Sequence, residues 1–193
     1  MATQQNTLIV SSPEFIEEGA IPVKFTCKGE GINPTLTIDQ VPEGTQSMAL
    51  IMEDPDTAKG TFTHWVLFDI QPANSIGENS GQGVSGLNGH GKMGYTPPCP
   101  PSGVHRYYFH VYALKESLDL KPGADRSAVE EAMAGHILAS GTLMARYGAG
   151  MEAAKGSGAE GSQAVGNEGK QEDRTTVDET GAGAWTTDKK VQH

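Results

Sequence analysis

The stretch MALIMEDPDTAKGTFTHWVLFDI, residues 48–70, decides the fold. Its short apolar runs, Met48 to Met52 and Phe62 to Ile70, flank a turn-rich segment containing Asp54-Pro55-Asp56 and Gly60, the pattern of two strands with a turn attached. Pro55 holds that turn by fixing its own φ and restricting Asp54, so the carboxylates of Asp54 and Asp56 are presented at a strand end. In the following strand, period-two alternation puts Phe62, His64, Val66 and Phe68 on one apolar face, where His64 is poorly solvated.

The same reading extends in both directions up to about residue 150. Leu8 to Val10, Val23 to Cys27, Leu36 to Ile38 and Tyr107 to Leu114 are further candidate strands, separated by Gly, Pro, Asn and Asp. Residues Gln71 to His105 form a Gly-, Asn-, Ser- and Pro-rich connection of roughly 35 residues, a length usually reserved for functional loops or disorder. Ser127-Ala-Val-Glu130 matches a capping box and predicts a helix starting there, with Val129, Met133 and Ile137 as its apolar stripe. Gly135 and Gly141 weaken that helix or mark close packing. From Met151 to His193 there is no Leu, Ile, Phe or Tyr and only Trp185 among large aromatics. Such a composition cannot offset chain ordering, so residues 1–150 are expected to form the domain and 151–193 a flexible polar tail.

A second chemical segment follows the long loop. Pro97, Pro98, Pro100 and Pro101 stiffen it and leave Cys99, Ser102 and Gly103 among the few amides able to donate, an arrangement suited to an anion. Beyond it His105, Tyr107, Phe109 and Val111 share a strand face, so an imidazole and a phenol stand at the entrance of an otherwise apolar face. Taken singly, His64, His110 and His136 read as satisfied core histidines, the Asp-Pro-Asp as a plain turn and Tyr107 as a core aromatic. Their clustering at strand ends beside the one long polar loop favours a binding site.

Bulk properties narrow the field. A formal net charge of −10 over 193 residues offers no footprint for nucleic acid. No apolar stretch approaches the roughly 18 residues of a spanning helix, and the N-terminus lacks a basic segment followed by an apolar run, so a soluble, cytoplasmic protein is expected. Cys27 and Cys99 belong to no C-x-x-C pair, and on the compartment argument they are expected to be reduced, mostly buried thiols in preference to the alternative of a bridge.

At these residues the chain resembles the phosphatidylethanolamine-binding family, in its bacterial and archaeal Raf-kinase-inhibitor-like branch. Asp54-Pro-Asp56 with His64-Trp65, and Cys99-Pro-Pro-Ser-Gly-Val-His-Arg-Tyr107 followed by Phe109-His-Val-Tyr-Ala-Leu114, look like its two signature blocks. Gly19-Ala-Ile-Pro22, Phe25-Thr-Cys-Lys-Gly29 and Val41-Pro-Glu-Gly44 resemble further pieces, and the likeness runs from about residue 7 to 148. Thr57-Ala58 and Pro97 depart from the usual pattern, Pro97 at the ligand loop. The resemblance implies a mainly β fold, a large sheet packed on a smaller one with a single helix near the C-terminal side. It also implies an anion pocket lined by Asp54, Asp56, His64, Cys99, Pro101, His105 and Tyr107, no cofactor, and a homodimer. Two carboxylates beside an anion are reconciled by a zwitterionic phosphoethanolamine-type or lipid head group, whose ammonium pairs with Asp54 or Asp56, and by a histidine whose charge those carboxylates favour.

Three rivals stand beside a non-catalytic phosphate binder. Two Asp and two His residues can ligate zinc, although not at helical or hairpin metal spacing. Ser102, His105 and Asp54 compose an imaginable hydrolytic triad, but no G-x-S-x-G elbow surrounds a serine. A regulator of a kinase or protease, reading a phosphorylated side chain, uses the same pocket chemistry.

Overall fold

The computed structural model describes residues 6–151. In chain order the elements are β1 (Asn6–Thr7), β2 (Ile9–Ser11), β3 (Leu36–Asp39), β4 (Ser47–Asp54), β5 (Phe62–Ile70), β6 (Ser75–Ile76), β7 (Val84–Ser85), β8 (Val104–Leu114), α1 (Arg126–Met133) and β9 (Ile137–Gly148). They build a six-stranded sheet in the order β1-β9-β8-β4-β5-β7 and a three-stranded sheet in the order β2-β3-β6. Every pairing is antiparallel except β1 with β9. The expected mainly β architecture, a large sheet on a small one with one helix, is thus the architecture observed. Apart from Met151, the polar tail expected at 151–193 lies outside the described residues.

Alternation along the strands divides the apolar residues between two layers. Leu50, Met52, Leu67, Phe109 and Val111 from the large sheet meet Val10, Leu36, Ile38 and Ile76 from the small one. Ala49, Ile51, Val66 and Phe68 on the opposite face are covered by Val129 and Met133 of α1. Strand β4 is therefore apolar on both faces, with only Glu53 of its eight residues not fully buried. Truncating Leu50 to Ala would remove a wholly buried side chain from its centre, at about 2–5 kcal/mol.

Four local readings are corrected. Val23 to Cys27 is not a strand: Val23–Phe25 is a 3-10 turn entered through Pro22, and the Thr26 hydroxyl donates to the Val23 carbonyl at 2.9 Å. The helix is capped by Asp125, whose carboxylate accepts from the Ala128 amide at 2.9 Å, two residues before the expected Ser127. Glu130 does not reach back to the cap but bonds Arg126 one turn earlier at 2.7 Å. Ile137 is not part of the helical stripe: Gly135, at φ 79°, ends that region and Ile137 opens β9, a twelve-residue strand absent from the sequence reading. Within β9 a Cβ at position 141 would stand 2.4 Å from the Leu8 carbonyl oxygen, so Gly141 marks close backbone approach.

The largest correction concerns the cysteines. Cys27 and Cys99 are exposed and joined by a disulfide with a Cα–Cα separation of 5.4 Å, not reduced and buried. The Cys27 amide donates to the Pro98 carbonyl at 3.1 Å, and that local pairing brings the two loops within bridging distance. General scarcity of disulfides in reducing compartments is a weaker guide than this geometry.

Candidate functional site

The site forms where β4, β5 and β8 end together. Asp54 closes β4, Phe62 opens β5 opposite it, and His105 and Tyr107 lie at the start of β8. The register between β4 and β5 slips at this point: Met52 faces Trp65 while Glu53 faces Thr63, which leaves His64 as the extra residue of a β-bulge. The bulge overturns the expected face of β5. Val66 and Phe68 point to the helix layer, whereas His64 turns to the other side, its ring 5.2 Å from that of Tyr107.

These strand ends, the 88–92 loop and the 96–102 loop enclose an open pocket of about 660 Å³. All seven residues expected at the site, Asp54, Asp56, His64, Cys99, Pro101, His105 and Tyr107, line it. Phe62, His90, Lys92 and Thr96 line it too, and the sequence reading missed them. Phe62 packs edge-on to both His64 and His90, with centroids 4.8 and 4.9 Å away. The Asn88 carboxamide shapes the missed loop, accepting from the His90 and Lys92 amides at 3.0 and 3.2 Å and donating to the Gly94 carbonyl at 3.1 Å. Asn88-Gly-His-Gly-Lys92 is the one available sequence signal, because an Asn among glycines is a standard Asx-turn former.

Both carboxylates are already engaged. Asp54, 2% exposed, accepts from the Asp56 amide at 2.8 Å through Oδ1 and pairs with His105 Nδ1 at 2.7 Å through Oδ2. Asp56 is held by Arg106, with Nε at 2.9 Å, Nη2 at 2.6 Å and the Arg106 amide at 2.9 Å. The Arg106 hydrogen bonds depress the Asp56 carboxyl to about 2. The acidic pair at the strand end is therefore a scaffold for His105 and Arg106, and a ligand ammonium would have to share it.

The remaining polar groups face the pocket with complementary capacities. His64 Nδ1 lies 2.7 Å from the Thr96 carbonyl, so that nitrogen carries the proton and Nε2 of the neutral ring is an acceptor. Burial lowers the His64 pKa and keeps the ring neutral. His105 spends Nδ1 on Asp54, which leaves Nε2 as its second polar atom. The Tyr107 hydroxyl is buried and leans on the Asp54 carboxylate without completing a full hydrogen bond; burial and that charge push its pKa up, so it is a neutral donor. The amides of the exposed residues Cys99 and Ser102, which line the pocket, and of Gly103, which lies just outside it, donate to no backbone or side-chain group among the described residues. No cluster of three or more His, Cys, Asp or Glu side chains suited to a metal ion occurs among the described residues.

A family model described as phosphatidylethanolamine-binding protein matches residues 11–148. The chain belongs to the phosphatidylethanolamine-binding protein family. It is 46% identical over 144 residues to a UPF0098 protein of Methanothermobacter thermautotrophicus, covering 70% of this chain and 95% of the relative. A UPF0098 protein of Aquifex aeolicus is 45% identical over 149 residues, covering 72% of this chain and 86% of the relative. Among solved structures, a phosphatidylethanolamine-binding protein homologue of Chlamydia trachomatis superimposes with a TM-score of 0.71 at 39% identity, over 74% of this chain and 98% of that one. YbcL of E. coli, described as a new member of the mammalian family, gives 0.67 at 26% identity, over 73% and 98%. Family membership supports a binding role in general.

Proposed function

We propose that this protein is a non-catalytic binder that holds the phosphate of a small phosphate-bearing group in the pocket between β4, β5 and β8. One observation carries the reading: the Tyr107 hydroxyl, a donor on the pocket floor, is buried with only an incomplete hydrogen bond to Asp54. A buried donor left unpaired costs about 1–3 kcal/mol, an upper bound for one with a weak contact, and a ligand oxygen that completes the pairing removes that cost. Around it, His105 Nε2, when protonated, and the amides of Cys99, Ser102 and Gly103 supply further donors to the same anion. His64 Nε2 offers a neutral acceptor beside the engaged Asp54 and Asp56 carboxylates, which suits a protonated phosphate oxygen or the ammonium of a phosphoethanolamine-type head group.

The arrangement around Ser102 supports capture rather than chemistry. The Asp54–His105 pair has the form of the orienting half of a catalytic triad, but Ser102 is exposed and its hydroxyl hydrogen-bonds neither partner. Calorimetric titration with inorganic phosphate, phosphoethanolamine, ethanolamine and a phosphoserine peptide tests the reading. Phosphate and phosphoethanolamine are expected to bind and ethanolamine not to. A marked preference for the phosphopeptide would favour the alternative role, regulation of a kinase or protease. Turnover of a phosphoester, followed by phosphorus NMR, would overturn the non-catalytic assignment.

A further inference from the structure

We infer that the Cys27–Cys99 disulfide is an exchangeable redox site whose state sets the affinity of the pocket, with a dithiol reductant as its chemical partner. The inference rests on the phosphate-binding reading only for the identity of the ligand. Both cysteines are exposed and both line the pocket, which favours access of a thiolate to the bridge. Cys99 is also the first residue of the segment whose amides the phosphate-binding reading assigns to the ligand.

The attachment of that segment explains why the bridge matters. Upstream of it the loop is well tied: the Thr96 amide donates to the His64 carbonyl at 2.8 Å, Tyr95 Oη to the Phe25 carbonyl at 2.9 Å, and the Cys27 amide to the Pro98 carbonyl at 3.1 Å. Downstream, the Gly103 carbonyl accepts from Ala149 at 3.1 Å as β8 begins. Between these anchors, residues 99–102 make no hydrogen bond to the body among the described residues, and the disulfide is their covalent tie. Pro100 and Pro101 limit φ but do not fix where the segment sits.

The exchange balances with a dithiol. One thiolate of the reductant attacks a bridge sulfur and expels the other cysteine as a thiolate, forming a mixed disulfide. The second thiol of the reductant then displaces the remaining cysteine. Two electrons and two protons pass to Cys27 and Cys99, and the reductant leaves as a disulfide. Freed of the tie, residues 99–102 must be ordered by the ligand itself, so affinity falls. Linkage requires the converse: bound phosphate makes the bridge harder to reduce by the same factor.

The test treats the full-length chain with excess dithiothreitol under native conditions, with and without inorganic phosphate, counting thiols by alkylation and mass spectrometry. Phosphate affinity is then measured on the oxidised chain, the reduced chain and a Cys27→Ser/Cys99→Ser variant. Two thiols are expected to appear while circular dichroism stays native, with phosphate affinity lower by about fivefold or more and phosphate opposing reduction. If the serine variant does not fold, the reduced natural chain decides. A bridge that yields only on unfolding, or equal phosphate affinity in both redox states, would overturn the inference. Absence of phosphate binding even in the oxidised chain would instead defeat the phosphate reading, and native-state thiol release alone would then decide whether the bridge exchanges.

Discussion

Asp54 Oδ2 lies 2.7 Å from His105 Nδ1, so a buried carboxylate at the end of β4 fixes the tautomer and direction of an imidazole at the start of β8. The charge that looks hostile to an anion is spent on orienting His105.

Asp54→Asn separates two roles for that carboxylate. Acting through His105, it supports the binding of any phosphate, and its loss should weaken inorganic phosphate and phosphoethanolamine alike, each by roughly tenfold or more. If Asp54 instead pairs a ligand's ammonium, phosphoethanolamine alone would suffer. Calorimetry of both ligands on both proteins distinguishes the cases.

His64 gives the domain a defined acid sensitivity. Its folded-state pKa lies below the ordinary value of 6.5 because it is buried, so on acidification the unfolded chain takes up the proton first. Stability therefore falls as pH drops below about 6.5, by at most about 1.4 kcal/mol per pH unit from this group, and is flat above it. Asp56, held down to about 2 by Arg106, acts in a separate window: the stability its pairing adds is present above the unfolded value of 3.8 and lost as pH falls through about 2. Urea melts at pH 7, 6 and 5 should show the first slope, and His64→Gln should flatten it. An unchanged slope in the variant would assign the sensitivity elsewhere.

The composition of residues 152–193 predicts that the domain folds without them. A chain ending at Met151 should melt at the temperature of the full-length protein and bind phosphate equally. A drop of several degrees on truncation would show that the segment contributes to the fold.

Strands β4, β5 and β8 were legible because each combines a marked apolar run with Pro, Gly or Asp punctuation, and the site residues attached to them were legible for the same reason. Strand β9 was not, since Ala139, Gly141 and Ala145 dilute its apolar pattern and Ile137 falls at helical spacing from Met133. What makes those small residues appropriate is the approach of the Leu8 backbone, a tertiary fact. The face of His64 was misread because a bulge inserts one residue into a period-two count, and only the partner strand reveals it. His90 and Lys92 escaped because they reach the pocket through a loop folded around the Asn88 side chain. The disulfide escaped because proximity across 72 residues of sequence depends on one backbone contact between two loops.

Tyr107→Phe, measured for melting temperature and for inorganic phosphate binding by calorimetry, tests the central claim most directly. Removing a buried hydroxyl that has only an incomplete hydrogen bond to Asp54 should leave stability nearly unchanged, while losing a donor to a charged ligand should weaken phosphate by roughly tenfold to a hundredfold. A folded variant that binds phosphate as tightly as the natural protein would contradict the account, because the phosphate would then not be held where the pocket floor offers the Tyr107 hydroxyl.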